Sequence, residues 1–143
     1  MVEPVVKVLP HSPKEFKDAK KLSEWIGKEL KTDGIYLIAS VRKVKDLCPG
    51  SICLFMKDKR TVGEGIVKEF KPYSGREKSP VTGKPYEAVI TFDPSSLRRY
   101  VKPLELITIR DLTGRMLNFR SGGNLTWAEY GKCQAEIVKN GFC

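Results

Sequence analysis

The sequence predicts an α+β fold that is mainly β, a small barrel of strands with a helix near each end. Three observations predict it. A capped amphipathic run lies before residue 34, strand-like runs broken by Gly, Pro and Asp turns fill the middle, and a second capped run follows residue 126. The 143 residues suit one domain, residues 1–143. A hydrophobic share of 41% beside a charged share of 30% argues against disorder.

The first helix is predicted over residues 13–31. Ser12-Pro13-Lys14-Glu15 has the form of a capping box with proline at the first helical position. Phe16, Ala19, Leu22, Ile26 and Leu30 fall within about 120° of one another at ~100° per residue, which makes one apolar face. Lys14, Lys17, Lys21 and Lys28 cluster opposite, and Asp33-Gly34 is the stop. Strands are expected over 35–41, 51–56, 61–70, 86–92 and 104–110. Segment 51–56 is apolar on both faces, as a central buried strand requires. Lys57 to Arg60 reads as a charged hairpin loop. Gly63 and Gly65 share one face of the next strand and mark a bulge or a close backbone approach. Residues 71–85 carry three prolines and two glycines, a long surface loop. Asp93-Pro94-Ser95-Ser96 starts a helical turn through Tyr100, and Asp111 to Gly114 turns the chain. Thr126-Trp127-Ala128-Glu129 is a second capping box, opening a helix over about 127–139 that Asn140-Gly141 ends.

Lys and Arg number 26 against 17 Asp and Glu, a net charge of +9. Such an excess suits a polyanionic partner, because cations that neutralise phosphates release counterions. It equally suits a solvated lysine-rich surface, so distribution matters more than the sum. Basic residues recur in several loops: Lys57, Lys59 and Arg60; Lys68, Lys71, Arg76 and Lys78; Arg98, Arg99 and Lys102, with Tyr73 and Tyr100 among them. Cations interleaved with aromatics fit single-stranded nucleic acid or an unpaired base. Trp25 lies beside the lysine stripe of the first helix, where it could stack a base or cover the edge of a barrel. Arg120-Ser121-Gly122-Gly123-Asn124 precedes a helix N-terminus. It could hold a phosphate, or be a turn whose glycines take positive φ.

Catalytic signals are few. The one histidine, His11, precedes a helix cap and cannot build a Ser-His-Asp set. Glu64, Asp93 and Asp111 are candidate acids, the last two also ordinary turn residues. Cys48 and Cys53, then Cys133 and Cys143, are not spaced as a zinc knuckle, so no metal and no cofactor are expected. The longest apolar runs, such as Ile35 to Ala39, are far too short to span a membrane. The N-terminus lacks a signal-peptide core, so a cytoplasmic protein is expected.

Leu47-Cys48-Pro49-Gly50-Ser51-Ile52-Cys53-Leu54-Phe55-Met56, followed by Val62-Gly63-Glu64-Gly65-Ile66-Val67, is similar to the hairpin of PUA-like barrels. That superfamily includes the PUA, ASCH, EVE and YTH domains. The Phe70-Lys71-Pro72-Tyr73 loop, the strand from Tyr86 and the closing Pro103-Leu104-Glu105-Leu106 resemble its layout too. The resemblance runs over about residues 34–130 and is nearest to small archaeal proteins with this barrel. Ser51 stands where many relatives have Asp. It implies a pseudobarrel of five or six strands, core about 34–120, with a cleft between barrel and helices, and recognition of RNA or a modified base.

The expected function is therefore a nucleic-acid-binding module for RNA, more a binder than an enzyme, acting as a monomer or weak homodimer with no membrane attachment. Its expected contact residues are Trp25, Lys57, Arg60, Lys71, Tyr73, Arg110, Arg120, Asn124 and Trp127. Arg120, Asn124 and Trp127 would sit at the cleft rim, with Tyr73 opposite. Two alternatives stay open. One is an enzyme acting on a nucleoside-like or amide substrate with Asp111 or Lys57 as base. The other is a protein–protein adaptor whose charge serves solubility.

Overall fold

A computed structural model describes residues 3–115 and 123–143. The chain opens on strand β1 (Val6–Pro10). Helix α1 (Ala19–Trp25) continues through a π-helical turn (Ile26–Leu30) into α2 (Lys31–Asp33). Strands β2 (Ile35–Ile38), β3 (Ile52–Lys57), β4 (Arg60–Pro72), β5 (Ala88–Phe92) and β6 (Arg98–Glu105) follow. Helix α3 (Leu106–Thr113), strand β7 (Gly123–Leu125) and helix α4 (Trp127–Asn140) close the chain.

The seven strands form one mixed sheet in the order β2-β5-β4-β3-β1-β7, with β6 also paired to β4. Among the described residues only β1 and β3 run parallel, Val6 opposite Ile52 through Pro10 opposite Met56. Strand β4 is shared: residues 60–66 pair with β3 and, in part, β6, and its far half pairs with β5. Among the described residues β2 and β7 do not meet, so the sheet stays open where a closed barrel would join them. No described helix is long and apolar enough to cross a membrane.

Two cores lie on the two sides of β1 and β3, because side chains alternate across a strand. Leu9, Cys53 and Phe55 face Leu22, Ile26, Leu30, Tyr36, Ile90 and Phe92 in one. Val6, Val8, Leu54 and Met56 face Tyr100, Ile109, Tyr130, Cys133 and Ile137 in the other. Glu64, 2% exposed, ties the second core together. It accepts from Tyr100 Oη at 2.9 Å, Tyr130 Oη at 2.6 Å and Arg98 Nη2 at 3.2 Å. Gln134, in the amide orientation its neighbours require, adds a fourth donor at 3.2 Å. A buried carboxylate is tolerable only with such full satisfaction. Arg98 in turn lies 4.2 Å over the Phe142 ring.

The structure corrects several expectations. The first helix begins at Ala19, not residue 13. Asp18 caps it by accepting from Lys21 N at 2.9 Å, while Ser12 and Glu15 meet in an isolated turn, where Ser12 N donates to Glu15 Oε1 at 3.2 Å and Glu15 N donates to the Ser12 carbonyl at 3.0 Å. The strand expected over 104–110 ends at Glu105. Leu106, Ile109 and Leu112 recur at helical spacing and pack into the second core, which outweighs the β-branched pattern. The turn expected to run through Tyr100 stops at Ser96, and β6 begins at Arg98. The hairpin loop shrinks to Asp58 and Lys59, both with the positive φ of a tight turn (54° and 60°). β1 went unpredicted, and it and β7 extend the sheet beyond residues 34–120, bringing the strand number among the described residues to seven.

Gly63 does mark a close approach. A Cβ there would lie 2.7 Å from the Arg98 carbonyl oxygen and 3.2 Å from Ile26 Cδ1. The substitution Gly63→Ala is accordingly expected to cost about 1–3 kcal/mol. Urea unfolding of the two proteins measures it, and an unchanged midpoint would refute the crowding.

Candidate functional site

A cavity of about 710 Å³ opens between the end of β1, the 12–18 turn, α1, β2 and the 77–86 loop. Its size falls in the usual range of ligand clefts. β1 carries Lys7 and Leu9 to it and delivers His11 just past its end. There His11 N donates to Met56 O at 3.0 Å, extending the parallel pairing by one bond.

His11 is 8% exposed and its ring is held at both nitrogens. Nδ1 lies 3.1 Å from Met56 O, and a carbonyl only accepts, so Nδ1 carries the proton. Nε2 is then an acceptor, and Tyr36 Oη donates to it at 2.6 Å. Burial pulls the His11 pKa below 6.5, only partly offset by Glu15 and the Met56 carbonyl. Burial likewise pushes the Tyr36 phenol well up, with Glu15 adding to it. The pair is therefore neutral and locked.

Four rings form a closed circuit on the cleft wall. His11 to Phe16 is 5.5 Å between centroids, Phe16 to Trp25 5.3 Å, Trp25 to Tyr36 5.7 Å and Tyr36 to His11 5.8 Å. Tyr86 lines the cleft as well and stands edge-on to Tyr73 at 6.1 Å. Lys7, 5% exposed, sits 2.7 Å from Asp46 Oδ1. Burial alone would raise the Asp46 pKa, but hydrogen bonds from Lys7 and Asn124 bring it below its usual value.

Of the residues expected from sequence, Trp25 lines the cleft. It also packs against the first core, as its structural reading has it. Tyr73 stands one ring behind the wall, and its hydroxyl accepts from Glu77 N at 3.3 Å. Asn124 does not line the cleft. It donates to Asp46 at 2.7 Å from β7, behind Lys7. Trp127, 49% exposed, donates to Pro4 O at 3.2 Å outside the cleft. Lys57 is buried and paired with Asp58 at 2.5 Å, and Arg60 pairs with Glu105 at 2.9 Å. Lys71 lies exposed 3.5 Å from Glu69, and Arg110 is exposed on α3. Arg120 lies outside the described residues. Neither proposed base lines the cleft, since Asp111 is exposed on α3 and Lys57 is held by Asp58. Glu64 is spent on the second core, and Asp93 caps a 3-10 turn. The four cysteines are free thiols, and no group of described residues gathers to hold a metal.

Sequence reasoning missed His11, Phe16, Tyr36 and Tyr86 as cleft residues. A histidine after an apolar run that ends in Pro10 was the available signal for the first.

No family model matches the chain, and no curated protein matches it in sequence. Solved structures do match its fold. The ASCH protein of Zymomonas mobilis superposes with a TM-score of 0.59 at 10% identity, over 93% of this chain and 96% of its own. A hypothetical protein from Leishmania major gives 0.63 at 14% identity, over 96% of both chains. Protein Atu2648 from Agrobacterium tumefaciens gives 0.53 at 15% identity, over 97% and 99%. In fold, the chain is similar to these structures, the ASCH protein of Zymomonas mobilis among them.

Acid titration should expose the locked histidine. The unfolded chain protonates His11 as pH falls through about 6.5, while the folded protein resists until lower pH, so stability drops over that window. The variant His11→Asn is expected to flatten the slope. Denaturant midpoints measured between pH 7.5 and 5 decide the matter, and equal slopes would refute it.

Proposed function

We propose that this protein is an RNA-binding module that holds an unpaired base in the cleft walled by β1, α1, β2 and the 77–86 loop. One observation carries the reading: a 710 Å³ cleft walled by five aromatic rings on a chain of net charge +9. Aromatic walls stack bases of any sequence, at about 1–3 kcal/mol per base. Exposed cations next in sequence to cleft-lining residues, including Lys14, Lys17, Arg76 and Lys78, would meet the phosphates on either side. The PUA-like fold supports the same reading by analogy. A double helix buries its base faces, so a single-stranded or looped RNA is the fitting ligand.

Fluorescence anisotropy with a labelled single-stranded RNA, a structured RNA and a duplex DNA of equal length tests this. One RNA is expected to bind best at physiological salt, with affinity falling steeply as salt rises. Trp25→Ala is expected to weaken that binding about tenfold, consistent with loss of one stacked base. Equal affinity of all three, or a Trp25→Ala protein that binds as well as its parent, would overturn the proposal.

A further inference from the structure

The cleft differs in charge from the surface around it. The chain is basic, yet the charged side chains that line the cleft without an ion-pair partner among the described residues are Glu15 and Glu77. Glu15 comes from the turn before α1, and its Oε1 accepts from Ser12 N at 3.2 Å and Ser12 Oγ at 3.3 Å. Those neutral donors leave its charge in place. Glu77 comes from the facing loop. Among the described residues neither has a Lys or Arg within ion-pair distance.

The basic groups in and behind the cleft wall are already matched or neutral. Lys7 faces Asp46 at 2.7 Å, Lys57 faces Asp58 at 2.5 Å, and His11 is neutral with its ring fixed by Met56 and Tyr36. The charge of Glu15 reaches His11, Tyr36 and Tyr86, and that of Glu77 reaches Tyr86. The two carboxylates and the aromatic wall thus act on one space. An aromatic face attracts a cation through its quadrupole, and a carboxylate beside it adds Coulomb attraction.

We propose that the cleft selects a positively charged nucleobase, one methylated on a ring nitrogen so that the ring is cationic at neutral pH. The inference rests on the reading of the cleft as a base pocket and names which base. A phosphate entering the cleft meets two carboxylates and is repelled. A neutral base gains stacking alone. A cationic ring gains stacking, the cation–π attraction and both carboxylates. Lys14, Arg76 and Lys78 are exposed and do not line the cavity, which leaves them for the phosphates of the same strand.

The test uses two isomeric nucleosides and the full chain. 1-Methyladenosine is cationic at neutral pH, and N6-methyladenosine is its uncharged isomer. Titration calorimetry is expected to find the charged isomer bound about tenfold more tightly, within the range of a cation–π contact aided by carboxylates. In the double variant Glu15→Gln, Glu77→Gln the two affinities are expected to converge to within about twofold. Both side chains are exposed, and a matching thermal melt checks that the variant is folded. Equal binding of the isomers by the parent, or a preference that survives in the double variant, overturns the inference and leaves the base pocket standing. Binding of neither nucleoside by a protein whose RNA affinity still depends on Trp25 also overturns it. Failure of RNA binding itself is read separately, in the anisotropy experiment.

Discussion

The parallel pairing of β1 with β3 is the constraint on which the rest depends. It places a strand of five residues between two others, with β7 on its far side, so all its neighbours are protein. Both faces must then be apolar or neutralised. Val6 and Val8 answer this on one side and Leu9 on the other, while Lys7 is matched by Asp46. Parallel strands need a long crossover. Here the crossover contains α1, α2 and β2, the elements that bring Trp25 and Tyr36 to the end of β1. The cleft is thus a product of the crossover: the strand supplies its floor and the returning chain its wall.

The second core fixes the other side of that strand. Glu64 gathers donors from β6 and α4 around one carboxylate on β4. Removing one donor would leave a buried charge short of a partner, so the four groups hold their register together. With Val6, Val8, Leu54 and Met56 packed against the same helix, β1 has little freedom to shift along β3. His11 inherits that rigidity, since its main chain and ring both bond to Met56 O. The ring circuit of His11, Phe16, Trp25 and Tyr36 therefore rests on a frame fixed from behind.

Legibility followed the length and symmetry of each signal. β3, apolar on both faces, read as a central strand because it has a core on each side. The Thr126 capping box read correctly because the contacts that make it are local, with Glu129 N bonding to Thr126 Oγ1 at 3.0 Å. Gly63 read as a close approach because nothing but glycine fits under the Arg98 carbonyl. Local signals failed where tertiary contacts decided. Ser12 and Glu15 formed only half of their box, the bond from Ser12 N to the Glu15 carboxylate, and the helix starts after Asp18. Residues 106–113 were called into a helix by burial of Leu106, Ile109 and Leu112, against their β-branched composition. β1 is short and carries a lysine, and only its pairing and Asp46 make it central. The cleft was the least legible part, because its rings come from residues 11, 16, 25, 36 and 86 and meet only through the crossover.

Net charge and local charge also separate here. A value of +9 describes how the whole molecule attracts a polyanion from a distance, through a field that salt screens within about 10 Å. It says nothing of a cavity whose lining lysine, Lys7, already faces Asp46, with Lys57 outside it held by Asp58. Lys7 and Lys57 count toward the total, yet each has its field largely cancelled by an aspartate in contact. Glu15 and Glu77 lower the total, yet theirs are the charges that a molecule inside the cleft would meet. Long-range attraction and short-range selection are thus set by different residues, and changing one set leaves the other in place.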